Sequence, residues 1–314
     1  MKAFYQLSYK KSMPCIFGEQ PDPVPGENQM LIEVKAASIN PVDYKIKNGD
    51  TRLITGSKFP KIVGTDFAGV VKSPSQGDTI FKSGDRVYGA ISVISGKQGT
   101  LAELIVADRK SVRHIPDGMS FEQAASLPVA ALTALNGLRR CGVTSGTNLL
   151  INGSTGGVGH FAVQIAKAKG AFVTATCSEA NSELAKQLGA DKISGYRRED
   201  LVHSANEYDA ILDAWGKMKF PDIFHLLKNG GTYASPLILV APAFLTYLVR
   251  LVTRKKITSS NMRALPEDFE EIEKLFLENK LRPVIENTFT LEKAADAFGM
   301  AESGKPRGKV IVTV

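Results

Sequence analysis

The sequence predicts an α/β protein of two parts, one β-rich and one built on a doubly wound parallel sheet. Three observations carry this. A glycine-rich turn lies between an apolar strand and a helix at 148–178. Strand and helix patterns alternate from about residue 121 onward. Before that point the chain reads as short strands punctuated by glycine and proline.

The segment 148–178 reads NLLINGSTGGVGHFAVQIAKAKGAFVTATCS. Leu149, Leu150 and Ile151 form a short apolar strand, and the turn holds Gly153, Gly156, Gly157 and Gly159. Phe161, Ala162, Ile165 and Ala166 then repeat at the spacing of one helix face. Gly170 closes the helix, and 172–176 begins the next strand. This is the layout of a dinucleotide-binding βαβ unit. Glycines let the backbone approach a pyrophosphate, whose charge sits among the free N–H groups of a helix N-terminus. The spacing is imperfect: aligned on Gly156 and Gly159, the first glycine of G-x-G-x-x-G is Ser154. A glycine-rich turn in another kind of parallel α/β unit carries the same local pattern.

The remaining elements follow in order. Strands are expected at 29–36, which alternates as a half-buried strand, and at 65–72, 85–90 and 99–107. Residues 122–138 read as helix interrupted at Pro128. Beyond lie strand 149–152, helix 159–169, strand 172–176, helix 182–188, strand 209–213, helix 220–227 and strand 231–234. Helices follow at 266–278 and 291–300. The closing strand 308–314, GKVIVTV, has no local partner and is expected to return to the first part.

At 314 residues, 43% hydrophobic and 23% charged, the composition is that of an ordinary two-domain globular chain. Three scattered cysteines, Cys15, Cys141 and Cys177, argue for a reducing compartment, and the first residues lack a signal-peptide run; a cytoplasmic location is expected. The net charge of +7 is spread along the chain with no dense basic arm, so no nucleic-acid partner is expected. An uncharged stretch, 236–249, precedes the basic cluster RLVTRKK at 250–256. Core, dimer interface or pocket wall is the plain reading, and a peripheral membrane contact is the sharper one.

Several motifs occur in one order: NPVDYK at 40–45, GTDFAGVV at 64–71, GDRVYG at 84–89, GTLAE at 99–103, LPVAALTA at 127–134, the glycine turn, and RGKVIV at 307–312. Together they resemble the medium-chain dehydrogenase/reductase superfamily, in its zinc-free quinone oxidoreductase branch. The wording is nearest to the plant chloroplast-envelope homologues. The resemblance covers essentially the whole chain. It implies a GroES-like β-rich catalytic domain at 1–123 and 264–314, around a Rossmann domain at 124–263. It further implies an active site in the cleft between them and a homodimer. Zinc-dependent relatives place a cysteine where this chain has Asn40 and a His-Glu pair where it has Thr65-Asp66. Those residues do not supply three good zinc ligands, so no metal is expected.

The same resemblance implies site residues. Asn40 and Tyr44 would be catalytic: Asn40 orients a carbonyl or carboxamide, and Tyr44 donates to a developing enolate or quinol oxygen. An aromatic packed at the domain seam is the other reading of Tyr44. Asp43 reads as a structural hydrogen-bond partner. Cofactor contacts would come from Lys45, Thr133, Ser154, Gly156, Gly157, Val158, Ser178, Asn181, Tyr196, Leu237, Ile238 and Arg307. Thr133 reads equally as a hydroxyl buried in a helix, and Arg307 as a surface residue.

NADPH is expected over NADH. The tip of the second strand, Thr176-Cys177-Ser178, offers hydroxyls and no carboxylate, although Glu179 follows at once. The expected activity is zinc-independent hydride transfer from NADPH to a quinone or an α,β-unsaturated carbonyl. The alternatives are an enoyl-thioester reductase and a non-catalytic NADPH-binding protein.

Overall fold

A computed structural model describes residues 1–10, 14–92, 98–195, 197–201, 205, 207–236 and 253–314. It divides into two compact units: Met1–Val129 with Ile285–Val314, and Ala130–Val284.

The first unit opens with β1 (Lys2–Gln6) and β2 (Ile16–Glu19), which pair antiparallel. β3 (Gln29–Ile39) is the long strand of the unit, and it buries Met30, Ile32 and Val34 by alternation. The expected strand 29–36 thus runs three residues further. The motif at 40–45 forms a helix, Pro41–Asn48. Asn40 caps its start in a reciprocal box with Asp43, and Gly49 ends it in the left-handed conformation at φ 81°. β4 (Lys61–Ile62), β5 (Asp66–Ser73), β6 (Arg86–Ala90), β7 (Leu104–Asp108) and β8 (Val112–His114) follow. β5 runs antiparallel along one edge of β3, and β7 pairs with the first half of β3 on the other edge.

Lys35 is an extra residue in the β3–β5 pairing, because Val34 faces Gly69 and Ala36 faces Ala68. The bulge brings the Glu33 carbonyl so close to Gly69 that a Cβ there would collide with it. Close approach also explains a departure from the expected strand 99–107, of which only Leu104–Asp108 pairs as a strand. Residues 99–103 instead run along 62–64, where Leu101 N donates to Val63 O at 3.0 Å. A Cβ on Gly99 would strike the Ile62 and Val63 carbonyls.

The second unit is a parallel sheet of β9 (Asn148–Asn152), β10 (Phe172–Thr176), β11 (Lys192–Ser194), β12 (Tyr208–Asp213), β13 (Leu227–Ser235) and β14 (Lys256–Ser259). Their order is β11-β10-β9-β12-β13-β14. This is a doubly wound sheet whose direction of winding reverses between β9 and β12. Helix Gly159–Ala168 buries every residue from Gly159 to Ala166, so it is a core helix rather than a surface one. The expected helix 122–138 is two helices, Phe121–Ser126 and Pro128–Arg140, divided just before Pro128.

The second unit extends to Val284 rather than 263 because helix Pro266–Leu277 and its exit are bound to it. Arg139 donates to Asp268 at 2.5 Å and Lys169 to Glu271 at 2.5 Å. The Gln164 side chain pairs with the Arg282 backbone in both directions, at 2.8 and 3.0 Å.

The chain then rejoins the first unit as β15 (Ile285–Thr290) and β16 (Lys309–Thr313), which pair in parallel. β16 lies antiparallel to the second half of β3, the return expected of 308–314. Residues 291–300 are a single tight turn, Leu291–Lys293, leading into helix Ala294–Glu302.

Gly69→Ala is expected to destabilise the protein by about 2–3 kcal/mol, since strand backbones at a bulge cannot separate without breaking the ladder. A urea midpoint equal to the parent's would show that the bulge yields at no cost.

Candidate functional site

In the second unit the glycine turn sits at the carboxyl end of β9, beside the point where the sheet reverses. Its glycines have different reasons. Gly153 has φ 76° and lies against Trp215, whose Cβ would be 3.0 Å from a Cβ placed on it. At Gly159 a Cβ would overlap the Gly153 carbonyl and lie 2.8 Å from Ser154 C. Gly156 is otherwise: a Cβ there would meet nothing nearer than Gly153 O at 3.5 Å. Packing within the chain does not require a glycine at Gly156, and the space in front of it is open. The helix that follows starts at Gly159, and Val158 in the capping position before it provides no side-chain cap. An open, side-chain-free approach to an uncapped helix N-terminus fits a pyrophosphate.

The other expected residues of this unit are placed differently from one another. Ser154 is fully buried, and its hydroxyl donates to Thr176 O at 2.9 Å. It therefore ties the turn to β10 rather than facing a ligand. Gly157 and Val158 are half-buried at the start of the helix. Ser178 is half-buried just past β10, and Asn181 Nδ2 donates to Thr155 Oγ1 at 3.3 Å, joining the strand tip to the turn. Thr176 departs from expectation. Its hydroxyl donates to Asn152 Oδ1 at 2.7 Å and accepts from Gly153 N at 3.2 Å, so it is not available to a phosphate. Thr133 is buried in helix Pro128–Arg140. Tyr196, Leu237 and Ile238 lie outside the described residues, as does nearly all of the uncharged stretch at 236–249.

Asp213, at the end of β12, was not singled out from sequence. Its Oδ1 accepts from Asn152 Nδ2 at 2.7 Å and Gly216 N at 2.8 Å. Its Oδ2 accepts from Met218 N at 2.9 Å and Tyr233 OH at 2.9 Å. One carboxylate thus fixes the loop 214–218 beside the turn. The available signal was an acid ending the apolar run YDAILD.

In the first unit the motif residues converge on a buried cluster. Asn40 is 2% exposed. Its Nδ2 donates to Asp66 Oδ2 at 2.8 Å, and its Oδ1 accepts from Lys309 Nζ at 2.6 Å. The amide is fully engaged inside the chain, which corrects the expectation that it orients a ligand carbonyl. Asp66 also accepts from Ser38 Oγ at 2.9 Å and Val129 N at 3.1 Å. Lys309 Nζ is 3.9 Å from Asp66 Oδ2. Asp43 accepts from Asn40 N at 2.7 Å and from the Thr65 hydroxyl.

Burial governs ionisation here. It pushes the Asp43 carboxyl up to about 7, aided by the Asp66 charge and opposed by hydrogen bonds from Thr65 and Asn40 and the charge of Lys309. Burial also raises Asp66, against the pull of Lys309, and lowers Lys309, against the pull of both carboxylates.

Tyr44 follows Asp43 on helix Pro41–Asn48. It is half-buried against a cluster containing Phe4, Leu101 and Phe298. Burial, then the charges of Glu302 and Asp43, raise its phenol above the ordinary tyrosine range. Lys45 is half-buried on the next position of the same helix. Arg307 is exposed and its Nε donates to Glu286 Oε2 at 2.8 Å, so its guanidinium already has a partner.

A doubly wound parallel sheet with an open phosphate cradle at its switch point defines a dinucleotide-binding protein. Comparisons with known proteins agree. Residues 26–117 match the alcohol dehydrogenase GroES-like domain, and residues 188–312 match the zinc-binding dehydrogenase family. The chain is 37% identical to a chloroplast envelope quinone oxidoreductase homolog of Arabidopsis thaliana, over 93% of this chain and 92% of that one. It is 34% identical to a 2-methylene-furan-3-one reductase of Solanum lycopersicum, over 91% of this chain and 72% of that one. The solved quinone oxidoreductase from Coxiella burnetii gives a TM-score of 0.87 at 33% identity, covering 100% of this chain and 99% of that one. The chain belongs to the medium-chain dehydrogenase/reductase family. Membership implies an oxidoreductase working with a nicotinamide cofactor.

The residues present do not fit the zinc that one matched description names. At 40, 65, 66 and 309 the chain supplies an amide, a hydroxyl, one carboxylate and an ammonium. Among the described residues no three His, Cys, Asp or Glu side chains gather as a metal site.

Two outcomes are expected. Gly156→Ala keeps the thermal midpoint within about 2 °C of the parent and weakens dinucleotide binding about tenfold, whereas Gly159→Ala loses about 2–3 kcal/mol of stability. Equal stability losses in the two would remove the distinction between cradle and packing glycine. For Asp43, the folded state holds a proton that the unfolded state has already released, from the ordinary carboxylate range up to about pH 7. Its contribution to stability therefore falls as pH rises through that window and levels off above it. The stability of the parent relative to Asp43→Asn, measured by urea denaturation, should decline from about pH 5 to about pH 7. A difference that does not change with pH would count against this assignment.

Proposed function

We propose that the protein is an NADPH-dependent, metal-independent reductase that delivers hydride to a quinone or to the β-carbon of an α,β-unsaturated carbonyl. The observation that carries this reading is the open cradle at Gly156, in front of an uncapped helix N-terminus, in a chain of this family. The relatives named for quinone and enone reduction support the acceptor class.

When bound, the cofactor supplies the hydride, two electrons and one hydrogen nucleus. The backbone N–H groups of Gly157 and Val158 would hold its pyrophosphate, Gly156 would leave room for its approach, and Ser178 would lie toward the ribose end. Tyr44, protonated at neutral pH as any phenol is, donates a hydrogen bond and then a proton to the acceptor oxygen as negative charge develops there. Asn40, Asp66 and Lys309 act behind it by fixing the start of its helix. No general base is required, because the acceptor gains both hydride and proton. The furanone relative favours the enone half of the acceptor class, and an enoyl-thioester acceptor is the neighbouring alternative. A binding role without turnover is the remaining one.

The test is oxidation of NADPH and NADH, followed by absorbance, against 1,4-benzoquinone, 9,10-phenanthrenequinone, an alkenal, an alkyl vinyl ketone and a simple aldehyde, with and without chelator. Chelator-insensitive turnover of quinones or enones, faster with NADPH, is expected. Chelator-sensitive turnover of the simple aldehyde alone would overturn the reading, and so would cofactor binding without turnover of any acceptor. Tyr44→Phe should lower kcat about tenfold to a thousandfold with cofactor affinity unchanged.

A further inference from the structure

Beside the glycine turn the second unit has a cavity of about 290 Å³ that neither the turn nor the expected contacts account for. It lies at the carboxyl end of the sheet. Asn152, the last residue of β9, lines it, as does the loop that follows β12. Its walls include Trp215, Met218, His225 and Leu226, and its charged lining is Lys217, Lys219 and Asp222. This volume suits one nucleoside-sized group and is too small for a whole dinucleotide, given that small-molecule pockets run from about 300 Å³ upward.

Three features connect this cavity with the cradle. The Trp215 backbone and Cβ lie against Gly153 of the turn. Asp213 clamps the loop through Gly216 N and Met218 N, so the lining is held in place before anything binds. Trp215 is 45% exposed and Lys217 Nζ sits 4.6 Å from its ring centre, giving an aromatic face with a cation above it. An aromatic face stacks a base, and an ammonium attracts a phosphate as a point charge.

The strand tip offers no cation of its own. Thr176 is engaged with Asn152 and Gly153, and the tip continues into exposed Glu179. Positive charge for a ribose phosphate must come from another element, and Lys217 and Lys219 are both exposed and both line the cavity. We propose that this cavity receives the adenosine 2′-phosphate end of the cofactor, and that Lys217 and Lys219, on the loop after β12, are its phosphate-reading residues in place of the strand tip. The inference rests on the nicotinamide-cofactor reading above and adds the origin of its NADPH preference. Asp222 shares the lining and would favour a free 2′-hydroxyl, so the two lysines must outweigh it.

The chain has a single tryptophan, so its intrinsic fluorescence reports on Trp215 alone. The experiment titrates adenosine 2′,5′-bisphosphate and adenosine 5′-diphosphate, which lack nicotinamide, against the full chain by fluorescence. Calorimetry with NADPH and NADH runs in parallel. The bisphosphate is expected to change the Trp215 emission and bind at least about tenfold more tightly than the diphosphate. In Lys217→Gln/Lys219→Gln that preference should collapse toward unity while diphosphate affinity stays within about twofold, and the double arginine variant should restore it. Circular dichroism melts confirm that each variant is folded. A preference unchanged in the glutamine variant would overturn the proposal, as would NADPH binding by calorimetry with no bisphosphate effect on Trp215. In both cases the nicotinamide-cofactor reading survives. If the parent chain binds neither NADPH nor NADH, that reading falls and this one with it.

Discussion

The first unit depends on an ammonium buried among side chains, that of Lys309. Lys309 enters from the last strand of the chain and meets Asn40 and Asp66, which lie at the opposite end of the sequence. Burying such a group is costly. Its return comes only if every partner is in place, since breaking a buried pair by removing one member costs about 3–5 kcal/mol. Lys309 therefore specifies register. Strand side chains alternate faces, so a slip of β16 by one residue along β3 would turn Lys309 away from the cluster and bring a neighbour inward. On the proposed reading the lysine also reaches the chemistry indirectly. Asn40 links it to Asp66, and Asn40 with Asp43 forms the cap of the helix that carries Tyr44. The orientation of that tyrosine is thus a consequence of where the chain's final strand is pinned.

The second unit solves a different problem with similar means. A site for a pyrophosphate must expose backbone N–H groups without collapsing onto itself. Side-chain hydrogen bonds between strand ends prevent that collapse. Ser154 joins the turn to β10, Asn152 joins β9 to both Thr176 and Asp213, and Asp213 holds the next loop. All these polar groups are buried and satisfied, so they rigidify rather than bind. What is left open is the backbone at Gly156, where neither packing nor backbone conformation calls for glycine.

Much of this was legible in the sequence, and the exceptions have physical causes. The strand 172–176 and the start of helix 159 were read to the residue, because apolar periodicity and glycine punctuation are local signals. The closing strand's return followed from its lack of a local partner. The segment 99–103 was misread as strand, since Gly99 serves a backbone approach to residues 62 and 63 that no local pattern reveals. The roles of Lys309 and Asp213 were missed for the same reason: each is a charged residue at the end of a largely apolar strand, and its meaning lies in partners far along the chain. Asn40 shows the limit of resemblance. The motif singled out the residue, but only the packing shows that its amide faces Lys309 and Asp66.

That internal network also bears on what a reductase of this kind could reduce. On the proposed reading, the positions that give zinc ligands in other relatives hold Asn40, Thr65 and Asp66, of which Asn40 and Asp66 are engaged with each other and with Lys309. A simple aldehyde or ketone needs its carbonyl strongly polarised before hydride arrives, which is the service a Lewis acid performs. A quinone or an enone is polarised through its own conjugation, and negative charge spreads over the acceptor as hydride adds. A single protonated phenol can then suffice, since the charge it must stabilise is already dispersed. The protonated phenol of Tyr44, and the cluster that fixes the helix beneath it, are consistent with an enzyme that relies on the reactivity of its acceptor rather than on a metal.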